Sequence, residues 1–132
     1  MRKVILAIRP KWAELILNRK KTVEIRRRIW RNFYEPVKIY LYATAPVQKI
    51  VGEVEGVVLP GGATKRAVSL EGTFLSFDDA VEYLAGAQNI YRITLSRPRR
   101  YSKPVLLSEM GAKRAPQNFI YVPNKKRGPK AS

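Results

Sequence analysis

Residues 37–44 alternate without a break. Val37, Ile39, Leu41 and Ala43 fall on one side of an extended chain, and Lys38, Tyr40, Tyr42 and Thr44 on the other. That period of two demands a strand with one apolar face, and so a sheet with a core against it. Residues 49–58 read as a second strand, interrupted by Gly52 and Gly56, which predict bulges or strong coiling. Further strands are read at 4–8, 22–30, 89–95 and 117–122. The run at 4–8 is apolar throughout and suits a central strand. In 22–30, Val23, Ile25 and Ile29 share a face opposite Glu24, Arg26 and Arg28.

The helix period occurs only twice, and briefly. Pro10 suits a first helical position, with Trp12, Leu15 and Ile16 on one side and an end near Asn18. Ser76 is a fitting N-cap, with Asp78 and Asp79 in the first turn and Gly86 placed to stop the helix. Five to six short strands with two short helices predict an α+β, mainly β chain folded as a small β-barrel with helices at its ends. Residues 60–62 and 97–101 are read as connectors, the latter basic. With 132 residues there is room for one domain, taken as 1–123, followed by a basic tail over 124–132 that is expected to be disordered.

Charge narrows the function. The chain carries 26 Lys+Arg against 10 Asp+Glu, a net +16. Residues 1–50 hold 13 basic and 3 acidic side chains, 51–90 hold 2 and 6, and 91–132 hold 11 and 1. Two basic ends around a mildly acidic middle are the footprint of a polyanion binder. No basic amphipathic helix with a wide apolar face points to a membrane, and no apolar run is long enough to span one. Nucleic acid is therefore the preferred partner, and a cytoplasmic location is expected. The absence of Cys and His excludes disulfides, Cys-based zinc sites and every triad that relays protons through imidazole.

The segment Arg19-Lys20-Lys21-Thr22-Val23-Glu24-Ile25-Arg26 resembles the G-x-K-x-x-E-x-R signature of the activating signal cointegrator homology (ASCH) domain. Lys21, Glu24 and Arg26 fall on its charged positions, and Arg19 replaces its glycine. Segments 4–10, 42–47, 50–54, 98–104 and 115–119 follow in the expected order, so the resemblance spans about 3–122. It implies a PUA-like fold, a pseudo-β-barrel of five to six strands with short flanking helices, whose members typically bind RNA. Members of the ASCH family are linked to RNA binding, transcriptional coactivation, ribonuclease activity and deacetylation of N4-acetylcytidine.

The expected interface is a cleft around Lys21, Glu24 and Arg26. Two-residue spacing puts Glu24 and Arg26 on one strand face, where Arg26 can take a phosphate in bidentate fashion and Glu24 can accept from an exocyclic amine. Arg28 extends that face. Tyr40 and Tyr42 beside Lys38 either stack unpaired bases or pack under a helix with their hydroxyls at the edge; the stacking role makes single-stranded or irregular RNA the favoured target and DNA the alternative. Trp30 either stacks a base or closes the barrel. Arg97, Arg99, Arg100 and Lys103 are read as phosphate contacts, and Lys125, Lys126, Arg127 and Lys130 as non-specific affinity. The enzymatic alternative is a nucleic-acid-processing hydrolase, an N4-acetylcytidine amidohydrolase or a ribonuclease, in which Lys21 and Glu24 are catalytic. The amidohydrolase relatives imply a threonine at the Glu24 position, so that reading needs Thr22 as substitute and Glu71 or Glu82 as second carboxylate. Glu53 and Glu55 share a strand face able to meet Mg²⁺, but with no further carboxylate identifiable no metal or other cofactor is assigned. A third reading is a ribosome-associated basic protein.

Overall fold

The computed structural model describes residues 1–60 and 70–123. The order is β1 (Arg2–Ile8), α1 (Pro10–Leu17), β2 (Val23–Arg26), β3 (Val37–Ala43), β4 (Lys49–Pro60), α2 (Phe77–Leu84), β5 (Tyr91–Val105) and β6 (Phe119–Tyr121), with a short 3-10 helix at Leu107–Met110. The strands form one sheet in the order β2-β5-β4-β3-β1-β6, curled into an open half-barrel. β1 runs parallel to β3, with Val4 opposite Ile39, and the other pairings between these strands are antiparallel.

Three clusters explain the apolar patterns. Inside the curl, Val4, Leu6 and Ile8 meet Ile39, Leu41, Val54, Val58 and Ile93, with Ala13, Ile16 and Leu17 of α1 laid on top. On the opposite face, Ile5 and Ala7 pack with Tyr42, Ile50 and Ala112. β1 is thus buried on both sides, which is why its sequence shows no alternation. The third cluster joins Val23 and Ile25 of β2 to Leu84 of α2 and to Ile90.

Both strand glycines are sites of close approach. A Cβ at Gly52 would lie 2.6 Å from the Arg99 carbonyl oxygen and 2.7 Å from Leu17 Cδ2, so this position lets α1 settle on the sheet. At Gly56 it would lie 2.5 Å from Ile39 Cδ1. Register shifts fall between Ile50 and Gly52 and between Glu53 and Glu55, meeting the expectation of bulges. Ser76 caps α2 by accepting from the Asp79 N–H at 3.0 Å.

Three expectations are corrected. The basic segment 97–101 is no connector; β5 continues through it, with a register shift at Arg97 (φ 53°), and β4 faces it with carboxylates, Glu53 opposite Arg99. β2 ends at Arg26 instead of reaching Trp30, and the chain bends so that Ile29 and Trp30 enter the inner cluster, away from Val23 and Ile25. The aromatic face of β3 is covered. Tyr42 is 4 % exposed, and Tyr40 is half-buried against the same cluster beneath Leu107 and Met110. Residues 61 and 62 of the first connector, and the tail 124–132 with its four cations, lie outside the described residues.

Candidate nucleic-acid interface

The signature begins at the end of α1. The Arg19 N–H donates to the Ile16 carbonyl (3.0 Å) and the Lys20 N–H to the Leu15 carbonyl (2.9 Å), the paired bonds of a Schellman motif. The residue that turns the chain there is Arg19, at φ 66°. This left-handed position is where the family's signature carries glycine, which adopts it without a Cβ clash. The turn delivers Lys21 inward and starts β2.

Lys21 is 2 % exposed and Glu24 8 %. The Lys21 ammonium has three protons and three acceptors: Val23 O at 2.9 Å, Thr73 O at 2.5 Å and Glu24 Oε1 at 3.1 Å. Glu24 Oε2 in turn accepts from Arg26 Nε at 2.7 Å. The remaining guanidinium nitrogens of Arg26 reach across the opening of the half-barrel, Nη2 to Ala7 O and Nη1 to Asn118 Oδ1, both at 2.8 Å. Asn118 Nδ2 donates back to Arg28 O at 2.8 Å. Trp30, just past β2, meets Phe119 of β6 edge to face, with ring centroids 5.5 Å apart. β2 and β6 are the two edges of the sheet, so these contacts are a polar clasp and an aromatic one across the same seam. Of the two roles weighed for Trp30, the structure assigns closure of the barrel.

The three signature charges converge as expected, but they are turned toward one another and toward protein carbonyls. The bidentate phosphate role expected of Arg26 competes with this geometry, since both of its terminal nitrogens already donate within the fold and its side chain is 13 % exposed. Burial pushes the Lys21 ammonium below its ordinary value; Glu24 pulls it up, and Arg26 adds to the lowering. A lowered value alone does not make a base of it, because each proton is already donated to an acceptor of the fold. Thr22 is exposed and Glu82 stands exposed on α2, away from this buried cluster.

Charge accessible to a ligand lies beside the signature. A groove of about 540 Å³ opens beyond the end of β2, lined by Arg27, Arg28 and Arg31 together with Gln88, Asn89 and Tyr91. The three arginines form no ion pair among the described residues. A second groove of about 490 Å³ runs along β5 past Arg99, Arg100, Tyr101 and Lys103. Here the cations are partly spent. Arg100 donates to Glu14 (2.8 Å) and Asn18 (2.9 Å), while Arg99 reaches Glu53 at 3.3 Å and Arg97 lies 3.8 Å from Glu55. Arg97 and Arg99 nevertheless keep 80 % and 70 % of their side chains exposed.

Glu53 also takes Lys38 Nζ at 2.9 Å and the Tyr101 hydroxyl at 2.8 Å. Burial works to raise its carboxyl, but these bonds hold it below the ordinary value. The carboxylates considered for Mg²⁺ thus face basic partners, and no group of three or more metal-ligating side chains occurs among the described residues. Sequence reasoning missed Asn118 and the Thr73 carbonyl as members of the clasp, and Arg31, Gln88 and Asn89 as groove residues. Asn118 lay within a quoted family segment, but no local pattern marked the others.

No protein-family model matches the sequence. The chain is 28 % identical over 127 residues to an ASCH domain-containing ribonuclease of Zymomonas mobilis subsp. mobilis, covering 92 % of this chain and 84 % of that protein. It superposes on the crystal structure of ASCH from Z. mobilis with a TM-score of 0.79 at 24 % identity, covering 94 % of this chain and 90 % of the other. A point-mutant crystal structure of the same Z. mobilis protein gives a TM-score of 0.79 at 23 % identity over 93 % and 91 %. With the signature on its Schellman turn and the strands closed at the seam it forms, this chain resembles the Z. mobilis ASCH protein in sequence and shares its fold.

Proposed function

We propose that the protein binds single-stranded or irregular RNA, with the groove of Arg27, Arg28 and Arg31 as the primary contact and the β5 groove as the second. The observation that carries this is the set of three arginines in a concave wall with no acidic partner among the described residues. Unneutralised charge in a cleft concentrates field and favours a phosphate backbone. The rings of Tyr91 and Tyr101 line the two grooves and favour unpaired bases over a closed duplex. Lys21, Glu24 and Arg26 serve as the rigid support from which the groove wall departs.

A salt titration of affinity for a labelled single-stranded RNA tests this. The log–log slope should be about −0.7 per phosphate contacted, and replacing all three arginines by alanine should weaken binding and flatten the slope. Affinity absent at low salt, or insensitive to salt, sinks the proposal. The same titration with single-stranded DNA decides between the two polymers. RNA cleavage is the second reading, favoured by the relative named as a ribonuclease. Resolving the RNA by length after incubation tests it, and intact RNA rejects it.

A further inference from the structure

We infer that bound RNA leaves the arginine groove over the loop of residues 31–34, with one unpaired base stacked on Tyr34 and the adjoining phosphate on Arg2. This rests on the RNA-binding reading above and specifies where the strand goes beyond the groove.

The loop is tied down at each step. Arg31 lines the groove. Asn32 accepts from the Tyr121 hydroxyl at 3.3 Å. Phe33 stacks on Tyr91, itself a groove residue, with centroids 5.7 Å apart and planes 19° from parallel. The Tyr34 N–H donates to Val58 O at 3.0 Å. Three residues on, Val37 opens β3 opposite Arg2 of β1. The chain thus runs from the groove at Arg31, through Tyr34, to the position beside Arg2. Neighbouring Cα atoms are about 3.8 Å apart, so Tyr34 is one such step from the residue that stacks on the groove's own tyrosine.

Tyr34 itself has the marks of a ligand contact. It is 69 % exposed, the most of any tyrosine among the described residues. No other ring or cation stacks on it among those residues. Its φ is 64°, a left-handed value that a bulky residue takes at a cost and that glycine or asparagine takes more easily. A strained backbone that holds an open ring gains little for the fold from that ring, so its use is sought in a ligand. An open ring offers a face to any unpaired base.

Arg2 suits the neighbouring phosphate. Its guanidinium lies 4.2 Å from the centroid of the Tyr121 ring. A guanidinium stacked on a ring keeps its in-plane N–H donors available for an anion. Arg2 has no acidic partner among the described residues. The bond from Tyr121 to Asn32 holds this cation beside the same loop.

Affinity for a labelled single-stranded RNA, measured across a salt series for single variants, tests the path. Tyr34→Ala should weaken binding about tenfold with the log–log slope unchanged, because stacking neutralises no phosphate. Tyr34→Phe should stay within about twofold of the parent, because the ring carries the contact. Tyr34→Gly should show the tenfold loss while its urea midpoint stays at or above the parent's, which separates lost stacking from a damaged fold. Arg2→Ala should flatten the slope by about 0.7, the share of one phosphate. Unchanged affinity in Tyr34→Ala, equal losses in Tyr34→Ala and Tyr34→Phe, a lowered midpoint in Tyr34→Gly, or an unchanged slope in Arg2→Ala each overturns the path. Where the unaltered protein still binds RNA, such a result leaves the groove its role and removes only the path. RNA that the unaltered protein does not bind removes both.

Discussion

Replacing Lys21 by methionine isolates the clasp from the groove. Methionine keeps the apolar stem and removes three donors, stranding the Val23 and Thr73 carbonyls and one oxygen of Glu24. Each buried acceptor left unpaired costs about 1–3 kcal/mol, while breaking a buried ion pair from one side costs about 3–5 kcal/mol. Glu24 retains Arg26, and the desolvation cost of the ammonium is recovered, so the lower end applies: a loss of about 3 kcal/mol. For a domain between the small and large size classes that is a drop in Tm of roughly 10 °C. Urea titration should show the midpoint falling with the slope unchanged. RNA affinity of the folded variant, measured well below its midpoint, should stay within about twofold of the parent, since no Lys21 proton faces a ligand. A variant as stable as the parent would refute the clasp. Unchanged stability with lost RNA affinity would restore the signature as the binding cleft. The pH dependence has a definite sign. Lys21 holds its proton less tightly in the native state than the unfolded 10.5, so between those values the unfolded chain binds more protons and stability rises with pH. The methionine variant should lack that rise.

Arg19→Gly relieves a left-handed residue at a cost of about 1 kcal/mol and restores about half of it as unfolded-state entropy, so the urea midpoint should rise by the equivalent of about 0.5 kcal/mol. Gly52→Ala drives a Cβ to 2.6 Å from the Arg99 carbonyl, a backbone atom that yields poorly. It should lose about 1–3 kcal/mol by overpacking, and thermal melting would expose a smaller cost as an error in the account. The Glu53 carboxyl is held low, so its contribution is present above the ordinary 4.5 and disappears as pH falls through the native value. Glu53→Gln should flatten that part of the acid limb in pH-dependent denaturation, leaving the share from Glu14, which Arg100 also holds low.

The fold was legible where periodicity and turn chemistry act locally. The alternation at 37–44, the Ser76 cap and the glycines of β4 each predicted what the backbone does there. Errors came where a partner distant in sequence decides. Arginines 97, 99 and 100 read as a basic connector because the Glu53 and Glu55 strand that faces them is 40 or more residues away. For Tyr40 and Tyr42 the sequence left stacking and packing open, because the segment that packs with them, around Leu107 and Ala112, shows no periodicity to announce itself. At the site, the sequence identified the three signature charges but not their direction. Two-residue spacing puts Glu24 and Arg26 on one face, yet only the closure of the sheet shows that this face looks inward, toward Ala7 and Asn118.

The seam has a kinetic meaning as well as a structural one. Arg26 joins residues 92 positions apart through Asn118, and Lys21 joins residues 52 apart through Thr73. Contacts that close such long loops are rewarded only after the strands between them are in place. The clasp therefore belongs on the native side of the folding barrier, where strengthening it slows unfolding and barely alters folding. By that reasoning, the time this chain stays folded is governed by the few buried bonds of Lys21, Glu24 and Arg26.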